Sequence, residues 1–252
     1  MNKLSNIFLF DVDGTLTINK MIPQSAIDTI NYLRSKNNKI MLSTGRCLGQ
    51  LNAIFNQIDL DGAIINNGSY AYLNDEIIFD CPIGKDIIKR FIEKGYCIGI
   101  LSKELYAIIN YDDESITNFC NYFNMTKPKE IDANYVDNNK IYSLGLYTEK
   151  DITDLITEFK ELEFIKICPY GYDIVPKGVS KATPFDALRK VYPNSKIISF
   201  GDNYNDYEMI KNSDIGIVMQ HAPEKLKCIA TYVTKEPQDD GIKYAIREIL
   251  KI

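Results

Sequence analysis

The chain of 252 residues lacks any apolar segment long enough for a signal peptide or a membrane span, and it contains neither repeats nor low-complexity tracts. Basic residues are not in excess, because 29 Lys and Arg stand against 34 Asp and Glu and leave a formal charge of −5. This balance argues against nucleic-acid binding, which needs a basic surface. We therefore expect a cytoplasmic protein that binds neither nucleic acid nor membranes.

Cysteine and histidine are too sparse to build a zinc site. The six cysteines include no Cys-x-x-Cys pair, and His221 is the only histidine. This distribution also argues against a disulfide framework. We expect the cysteines to be small, buried side chains that stay reduced in the cytosol, at the positions Cys47, Cys81, Cys97, Cys120, Cys168 and Cys228.

What the sequence does contain is an apolar run that ends in carboxylates. The run Ile-Phe-Leu-Phe over residues 7–10 is followed by Asp11, Val, Asp13, Gly and Thr. Four apolar residues in succession are typical of a strand that is covered on both faces. Because ligands of open parallel sheets bind beyond the carboxyl ends of such strands, the pattern predicts a site at Asp11 and Asp13.

Alternating strand and helix patterns in the first and last thirds of the chain predict an α/β core with a central parallel sheet. The predicted strands cover residues 39–43, 62–66, 69–73, 76–81, 196–200 and 214–218. Helices are predicted after Pro23, over 181–191, up to Lys211, and over 241–252 as a closing amphipathic helix.

The middle of the chain has a different character. Residues 83–177 alternate helical segments with short, tyrosine-rich strands such as 140–147, and proline stands at both edges, at Pro82 and Pro176. Prolines and turns at the edges of a segment are typical of short hinges. We predict a core domain formed by residues 1–82 and 178–252 and a second, inserted α/β domain over residues 83–177.

A second acidic cluster, with Asp202, Asn205 and Asp206, lies in the segment 201–206 directly after the apolar strand residues 197–200. Two strand ends that each offer carboxylates suit a cation that prefers oxygen, and Mg²⁺ binds one or two carboxylates together with water and substrate phosphate. The sequence therefore predicts Mg²⁺. Taken alone, the cluster fits equally well a helix N-cap followed by an acid in the first turn.

Two further segments have the residue types that bind phosphate. Thr44, Gly45 and Arg46 follow the strand over 39–43, and Lys181 follows Gly-Val-Ser at the predicted start of a helix. A hydroxyl and backbone N–H groups at a turn can bind phosphate oxygens, and a lysine supplies positive charge. Each segment alone also fits an ordinary turn or a surface lysine.

In their order along the chain, these segments resemble the four motifs of the haloacid dehalogenase (HAD) superfamily phosphatases, and the Thr-Gly-Arg and Gly-Val-Ser-Lys forms resemble the Cof-type branch, subfamily IIB. The resemblance spans nearly the whole chain and includes residues 66–68, 173–176, 216–219 and 233–234. It implies a Rossmann-like core with an inserted α/β cap domain. One departure is His221-Ala222, where the branch usually has Asn-Ala.

The resemblance also implies roles for individual residues. Asp11 would be the nucleophile that forms an aspartyl-phosphate, and Asp13 the general acid and then the base. Asp11 must be ionised while Asp13 carries a proton, so their environments must differ. The metal would be held by Asp11, the backbone carbonyl of Asp13 and Asp202. Asp206 would hold Lys181 or a water in place. The residues that would bind phosphate are Thr44, Gly45, Lys181 and Asn205.

The implied function is Mg²⁺-dependent hydrolysis of small phosphate monoesters, such as sugar phosphates. The core motifs do not distinguish this activity from a phosphosugar mutase on the same core. Non-enzymatic alternatives are a phosphoacceptor like a response-regulator receiver, against which the motif order argues, and a phospho-ligand binding protein. A dehalogenase is disfavoured because an acid at Asp13 serves phosphoryl chemistry. The substrate, the oligomeric state and the role of His221 stay open, and Arg46 fits either phosphate binding or an exposed ion pair.

Overall fold

The computed structural model describes residues 6–252, and these residues form two β-sheets. The strands of the first sheet are β1 (Ile7–Phe10), β2 (Lys39–Ser43), β3 (Gly62–Ile65), β4 (Tyr70–Leu73), β5 (Glu76–Asp80), β12 (Ile197–Gly201), β13 (Ile215–Val218) and β14 (Tyr232–Val233). Those of the second are β6 (Ile98–Leu101), β7 (Tyr106–Ile109), β8 (Lys129–Glu130), β9 (Ser143–Tyr147), β10 (Leu162–Cys168) and β11 (Gly171–Pro176).

The first sheet has the strand order β14-β13-β12-β1-β2-β3-β4-β5. The strands from β14 to β3 are parallel, and the meander of β4 and β5 adds two antiparallel strands at one edge. The predicted α/β fold with a central parallel sheet is thereby confirmed. Its helices are α1 (Gln24–Ser35), α2 (Asn52–Phe55), α7 (Phe185–Val191), α8 (Tyr207–Asn212), α9 (Glu224–Lys227) and α10 (Gly241–Tyr244).

Strand β1 lies at the centre of this sheet, and its sequence explains why. Phe8 and Phe10 point to the face that α1 and α10 cover, whereas Ile7 and Leu9 point to the face that α7, α8 and α9 cover. All four side chains are buried. At about 1.5–3 kcal/mol for each buried side chain of this size, the strand contributes strongly to stability and holds the following residues, from Asp11 on, in a fixed position.

The second sheet has the order β10-β11-β9-β6-β7-β8 and is antiparallel apart from the β7–β8 pair. Its helices are α3 (Lys85–Glu93), α4 (Asp113–Tyr122), α5 (Tyr135–Asn138) and α6 (Thr153–Glu158). The predicted boundaries at 82/83 and 177/178 fall in the connections between the two sheets. That residues 83–177 form a separate domain stays a prediction, and residues 1–5 of the core segment lie outside the described residues.

Three predicted elements differ from the structure by more than one residue at an end. The strand predicted over 140–147 begins at Ser143; before it, the C=O of Ile141 accepts from the N–H of Ile83, and Tyr142 packs edge-on against Tyr70 at 5.2 Å between ring centroids. The helix predicted over 181–191 begins at Phe185, after a turn closed by the bond from Thr183 N–H to Ser180 C=O. The C-terminal helix is divided into α10 and a π-helical segment, Ala245–Ile249.

The cysteines are all free, and four of the six are buried, while Cys81 is half-buried and Cys228 exposed. No helix in the described part of the chain has both the length and the apolar character that a membrane crossing requires.

Candidate active site

The predicted site residues meet at the carboxyl end of the parallel sheet. Asp11 directly follows β1, Asp202 directly follows the adjacent β12, and Thr44 directly follows β2 on the other side of β1. Because the strands are parallel and in register, with Phe10 beside Phe200, their ends lie at one edge of the sheet. Lys181 reaches the same place from the turn before α7.

Lys181 is the centre of this cluster. Its side chain is fully buried, and its Nζ donates to Oδ1 of Asp11 and to Oδ1 of Asp206, both at 2.6 Å. Burial alone would lower the pKa of Lys181, but the charges of Asp11 and Asp206 outweigh burial and raise it above its usual value. A buried amine is therefore kept charged by two carboxylates that are far away in sequence.

Asp206 is bound on both oxygens. Its Oδ2 accepts hydrogen bonds from the backbone N–H groups of Asp202, at 2.9 Å, and Asn203, at 3.0 Å, while its Oδ1 accepts from Lys181. The carboxylate is thus used to hold Lys181 and the loop that presents Asp202. This arrangement agrees with the supporting role that the sequence predicts for Asp206.

Gly14 and Thr15, which follow Asp13, both contribute to the position of Asp202. Gly14 has a φ of +87°, and a Cβ at that position would lie 2.6 Å from Oδ2 of Asp202. Thr15 donates from Oγ1 to Oδ1 of Asp202 at 2.7 Å. The loop after β1 therefore fixes the carboxylate of Asp202 at the end of β12. The contact of Thr15 with Asp202 was not predicted from the sequence.

The residues present fit a divalent cation. One carboxylate oxygen from each of Asp11, Asp202 and Asp206 lies within 4.8 Å of the others. Burial, followed by the nearby charges of Asp206 and Asp202, raises the pKa of Asp11 well above its usual value despite the opposing charge of Lys181. Three carboxylates and one ammonium leave an excess of two negative charges, which a divalent ion with a preference for oxygen would balance.

Asp13 and Arg46 form an ion pair beside this cluster. Arg46 donates from Nε to one oxygen of Asp13 at 2.8 Å and from an Nη to the other at 2.5 Å. The side chain of Asp13 is 60% exposed. Of the two possibilities left open for Arg46, the structure shows the exposed ion pair, and exposed pairs contribute little to stability.

Three of the four predicted phosphate-binding residues, Thr44, Gly45 and Asn205, lie around Asn67. Asn205 donates from Nδ2 to Oδ1 of Asn67 at 3.1 Å, and a Cβ added to Gly45 would lie 3.0 Å from the same amide. Thr44 is buried, and its Oγ1 accepts from the backbone N–H of Arg46. Asn67 is named in the sequence only within the segment 66–68, but its side chain joins the two loops.

Asn67 also connects the two sheets. Its Nδ2 donates at 2.7 Å to Oδ2 of Asp173, which belongs to β11 of the second sheet. Sequence analysis quoted Asp173 only as part of the segment before Lys181 and gave it no role. Its position beside the active-site loops becomes visible only when the two sheets are placed together.

His221 is neither a simple surface histidine nor a helix cap. Its Nε2 contacts Oδ2 of Asp202 at 3.2 Å, and its Nδ1 contacts a carboxylate oxygen of Glu236. The hydrogen bond to Asp202, opposed by burial and assisted by Glu236, raises the pKa of His221 to about 9. The imidazolium thus holds the candidate metal ligand Asp202 from the side opposite Thr15.

We expect His221→Asn to destabilise the metal-free protein at pH 6 by about 1 kcal/mol, a value kept small because 42% of the side chain is exposed. The histidine pKa is raised on folding from about 6.5, so its contribution is complete below that pH and disappears as the pH rises through about 9. Urea unfolding of both proteins at pH 6 and pH 10 measures the difference. An equal destabilisation at both pH values would contradict this assignment.

Comparison with known proteins identifies relatives along the whole chain. The sequence family model of the haloacid dehalogenase-like hydrolases matches residues 8–246 of this chain. The Bacillus subtilis (strain 168) protein YkrA, provisionally named a phosphatase, is 24% identical over 97% of this chain and 98% of its own. YitU of the same organism, named a 5-amino-6-(5-phospho-D-ribitylamino)uracil phosphatase, is 24% identical over 98% of both chains.

The fold is also similar to that of a solved structure. The HAD subclass IIB sugar phosphatase BT4131 superposes with a TM-score of 0.84 over 98% of this chain and 100% of its own, at 24% identity. At this identity the superposition shows a shared fold, which includes the Rossmann-like core and the position of the second sheet.

Proposed function

The chain belongs to the haloacid dehalogenase-like hydrolases, and on this basis we propose that it is a Mg²⁺-dependent phosphatase of small phosphate monoesters. The observation that carries the proposal is the buried cluster of Asp11, Asp202 and Asp206 around Lys181 at the carboxyl end of the parallel sheet. The names of the full-length relatives support a phosphatase. Cytoplasmic location, and the absence of binding to nucleic acid or membranes, stay predictions.

In the proposed mechanism Asp11 is the nucleophile. Lys181 binds Oδ1 of Asp11, whereas Oδ2 accepts no hydrogen bond from the described residues and is free to attack. The attack forms a bond from Oδ2 to phosphorus and breaks the bond from phosphorus to the leaving oxygen, which gives an aspartyl-phosphate. Thr44, Gly45, Lys181 and Asn205 would hold the non-bridging phosphate oxygens during this step.

Asp13 would protonate the leaving oxygen and later activate the water that hydrolyses the aspartyl-phosphate. Its side chain is exposed, but it is bound to Arg46 on both oxygens. We infer that substrate binding breaks this pair. Mg²⁺ held by Asp11, the backbone carbonyl of Asp13 and Asp202 would neutralise phosphate charge and keep Asp11 ionised.

Release of inorganic phosphate tests the proposal. We expect p-nitrophenyl phosphate and sugar phosphates to be hydrolysed with Mg²⁺ and not after its removal with EDTA. A phosphosugar mutase would instead yield an isomeric sugar phosphate without free phosphate, and a phosphoacceptor protein would become stably phosphorylated without turnover. Either of these results, or release that is equally fast in EDTA, would overturn the proposed function.

A further inference from the structure

Part of one face of the second sheet is directed at the candidate active site, and α4 covers another part of the same face. In the central strands β11, β9 and β6, Asp173 lies beside Gly145 and Gly145 beside Gly99. Neighbouring positions such as Ile174, Leu144 and Ile100 point to the opposite face, where α3, α5 and α6 bury them. Asp173, Gly145 and Gly99 therefore lie in a row on the face opposite to α3, α5 and α6. From this face Asp173 contacts Asn67, which follows β3 of the first sheet.

Asp173 lies beside the proposed phosphate-binding loop. Its Oδ2 accepts from Asn67 at 2.7 Å and would be 3.2 Å from a Cβ on Gly45. A carboxylate can accept about four hydrogen bonds, and among the described residues only that of Asn67 reaches this one. Burial, opposed by Asn67 and Lys181, raises the pKa of Asp173 to about 6, so it is ionised at neutral pH and short of donors.

Two tyrosine hydroxyls lie over the glycines of the same face. The hydroxyls of Tyr106 and Tyr147 are 2.6 Å apart, and a Cβ on Gly99 or Gly145 would lie 2.2 or 2.5 Å from that of Tyr147. Any larger side chain at either glycine would displace this hydroxyl. Burial raises the pKa of both tyrosines, and the charge of Asp173 raises it further, so both stay protonated.

The two tyrosine hydroxyls carry two protons, and the hydrogen bond between them involves only one. The single hydrogen bond between Tyr106 and Tyr147 consumes one O–H, and neither hydroxyl has a further partner in the described part of the chain. The face thus offers one free donor from the tyrosine pair and free acceptor positions on Asp173. A hydroxyl group of a ligand can satisfy both, because it accepts one hydrogen bond and donates another.

We propose that Asp173, Tyr106 and Tyr147 form a subsite that binds the hydroxyls of a neutral sugar or polyol leaving group and rejects leaving groups that carry a carboxylate. The assignment rests on the proposed function, because it takes the phosphate to lie between this face and Asp11. A leaving-group hydroxyl would donate to Asp173 and accept from the tyrosine pair. A carboxylate in its place would face the like charge of Asp173 at close range, which disfavours its binding.

Glucitol 6-phosphate and 6-phosphogluconate provide a matched test, since they differ in replacing one terminal CH₂OH by a carboxylate. Binding is measured by calorimetry in Asp11→Asn protein, which needs no turnover, and compared with Asp11→Asn/Asp173→Asn. We expect the first protein to bind glucitol 6-phosphate at least about tenfold more tightly. The second should lose most of this preference, because asparagine can still accept from Asn67 but carries no charge.

The tyrosines are tested by the double variant Tyr106→Phe/Tyr147→Phe in the otherwise native enzyme, because either single variant would leave one hydroxyl with a free proton. We expect the double variant to lower kcat/KM for glucitol 6-phosphate several-fold more than for p-nitrophenyl phosphate, whose leaving group has no further hydroxyl. Glu158→Gln, on the outer helix α6, is a matched cap variant that should leave this ratio unchanged.

Equal affinity for the two six-carbon phosphates, or a preference that survives Asp173→Asn, would overturn the subsite. A failure of the proposed function would appear elsewhere, as absent hydrolysis of p-nitrophenyl phosphate by the native enzyme with Mg²⁺. The calorimetric comparison therefore decides on the subsite whatever the turnover assay gives.

Discussion

Asp11→Asn is expected to lower phosphate release by a factor of about 10⁴ or more, because an amide is too weak a nucleophile to attack phosphorus. The other two carboxylates of the buried cluster are already engaged. Asp206 is bound on both oxygens, and Asp202 is held by Thr15 and His221. Only Asp11 combines the central position with a free oxygen.

The same variant should keep its fold. Burial and the charges of Asp206 and Asp202 already disfavour a negative charge at residue 11, and Lys181 retains Asp206 as a partner. Steady-state turnover with p-nitrophenyl phosphate and urea unfolding measure the two properties. Asp28→Asn, on the surface helix α1, is the control. Turnover by Asp11→Asn within tenfold of the native rate would contradict the assignment.

Lys181→Met should be the most destabilising of the variants considered, by about 3–5 kcal/mol at pH 7 without metal. Methionine is apolar and of similar length, but it leaves Asp11 and Asp206 buried together without a positive partner. Both carboxyl groups have a raised pKa, chiefly from burial. In the variant, burial of these two carboxylates in their charged form lowers the free energy of unfolding. This loss decreases as the pH falls and the carboxylates take up protons.

Urea unfolding at pH 7 and pH 5 in EDTA tests this expectation, with Lys190→Met on the exposed side of α7 as the control. The loss of stability should be smaller at pH 5. Added Mg²⁺ should recover part of it at pH 7 by supplying positive charge to the same carboxylates. A loss below 1 kcal/mol, or one that is the same at both pH values, would show that Lys181 does not neutralise this pair.

The core of the fold is predictable because its signals are local. Strand β2 has the bounds that its apolar pattern predicts, and the run before Asp11 gives a strand covered on both faces. The meeting of Asp11 and Asp202 could also be predicted, since the ends of adjacent parallel strands must lie at one edge of a sheet. These predictions need the topology but no details of side-chain packing.

The rest depends on contacts between distant parts of the chain. Thr15 and Asp202 are 187 positions apart, and Asn67 and Asp173 are 106 positions apart. No local pattern in the sequence indicates either pair. Likewise, the pattern at 140–147 reads as one strand, but Ile141 bonds to Ile83 and Tyr142 packs against Tyr70, and the strand begins only at Ser143. Tertiary contacts therefore decide the element limits and the supporting residues of the site.

The central claim is that the phosphoryl group passes through Asp11. Rapid acid quenching of the enzyme during turnover, followed by borohydride reduction, converts an aspartyl-phosphate to homoserine, which peptide mass spectrometry can locate. The account predicts homoserine at position 11 in the native enzyme and none in Asp11→Asn. Sustained phosphate release with Asp11 recovered unmodified, or with homoserine at another aspartate, would contradict it.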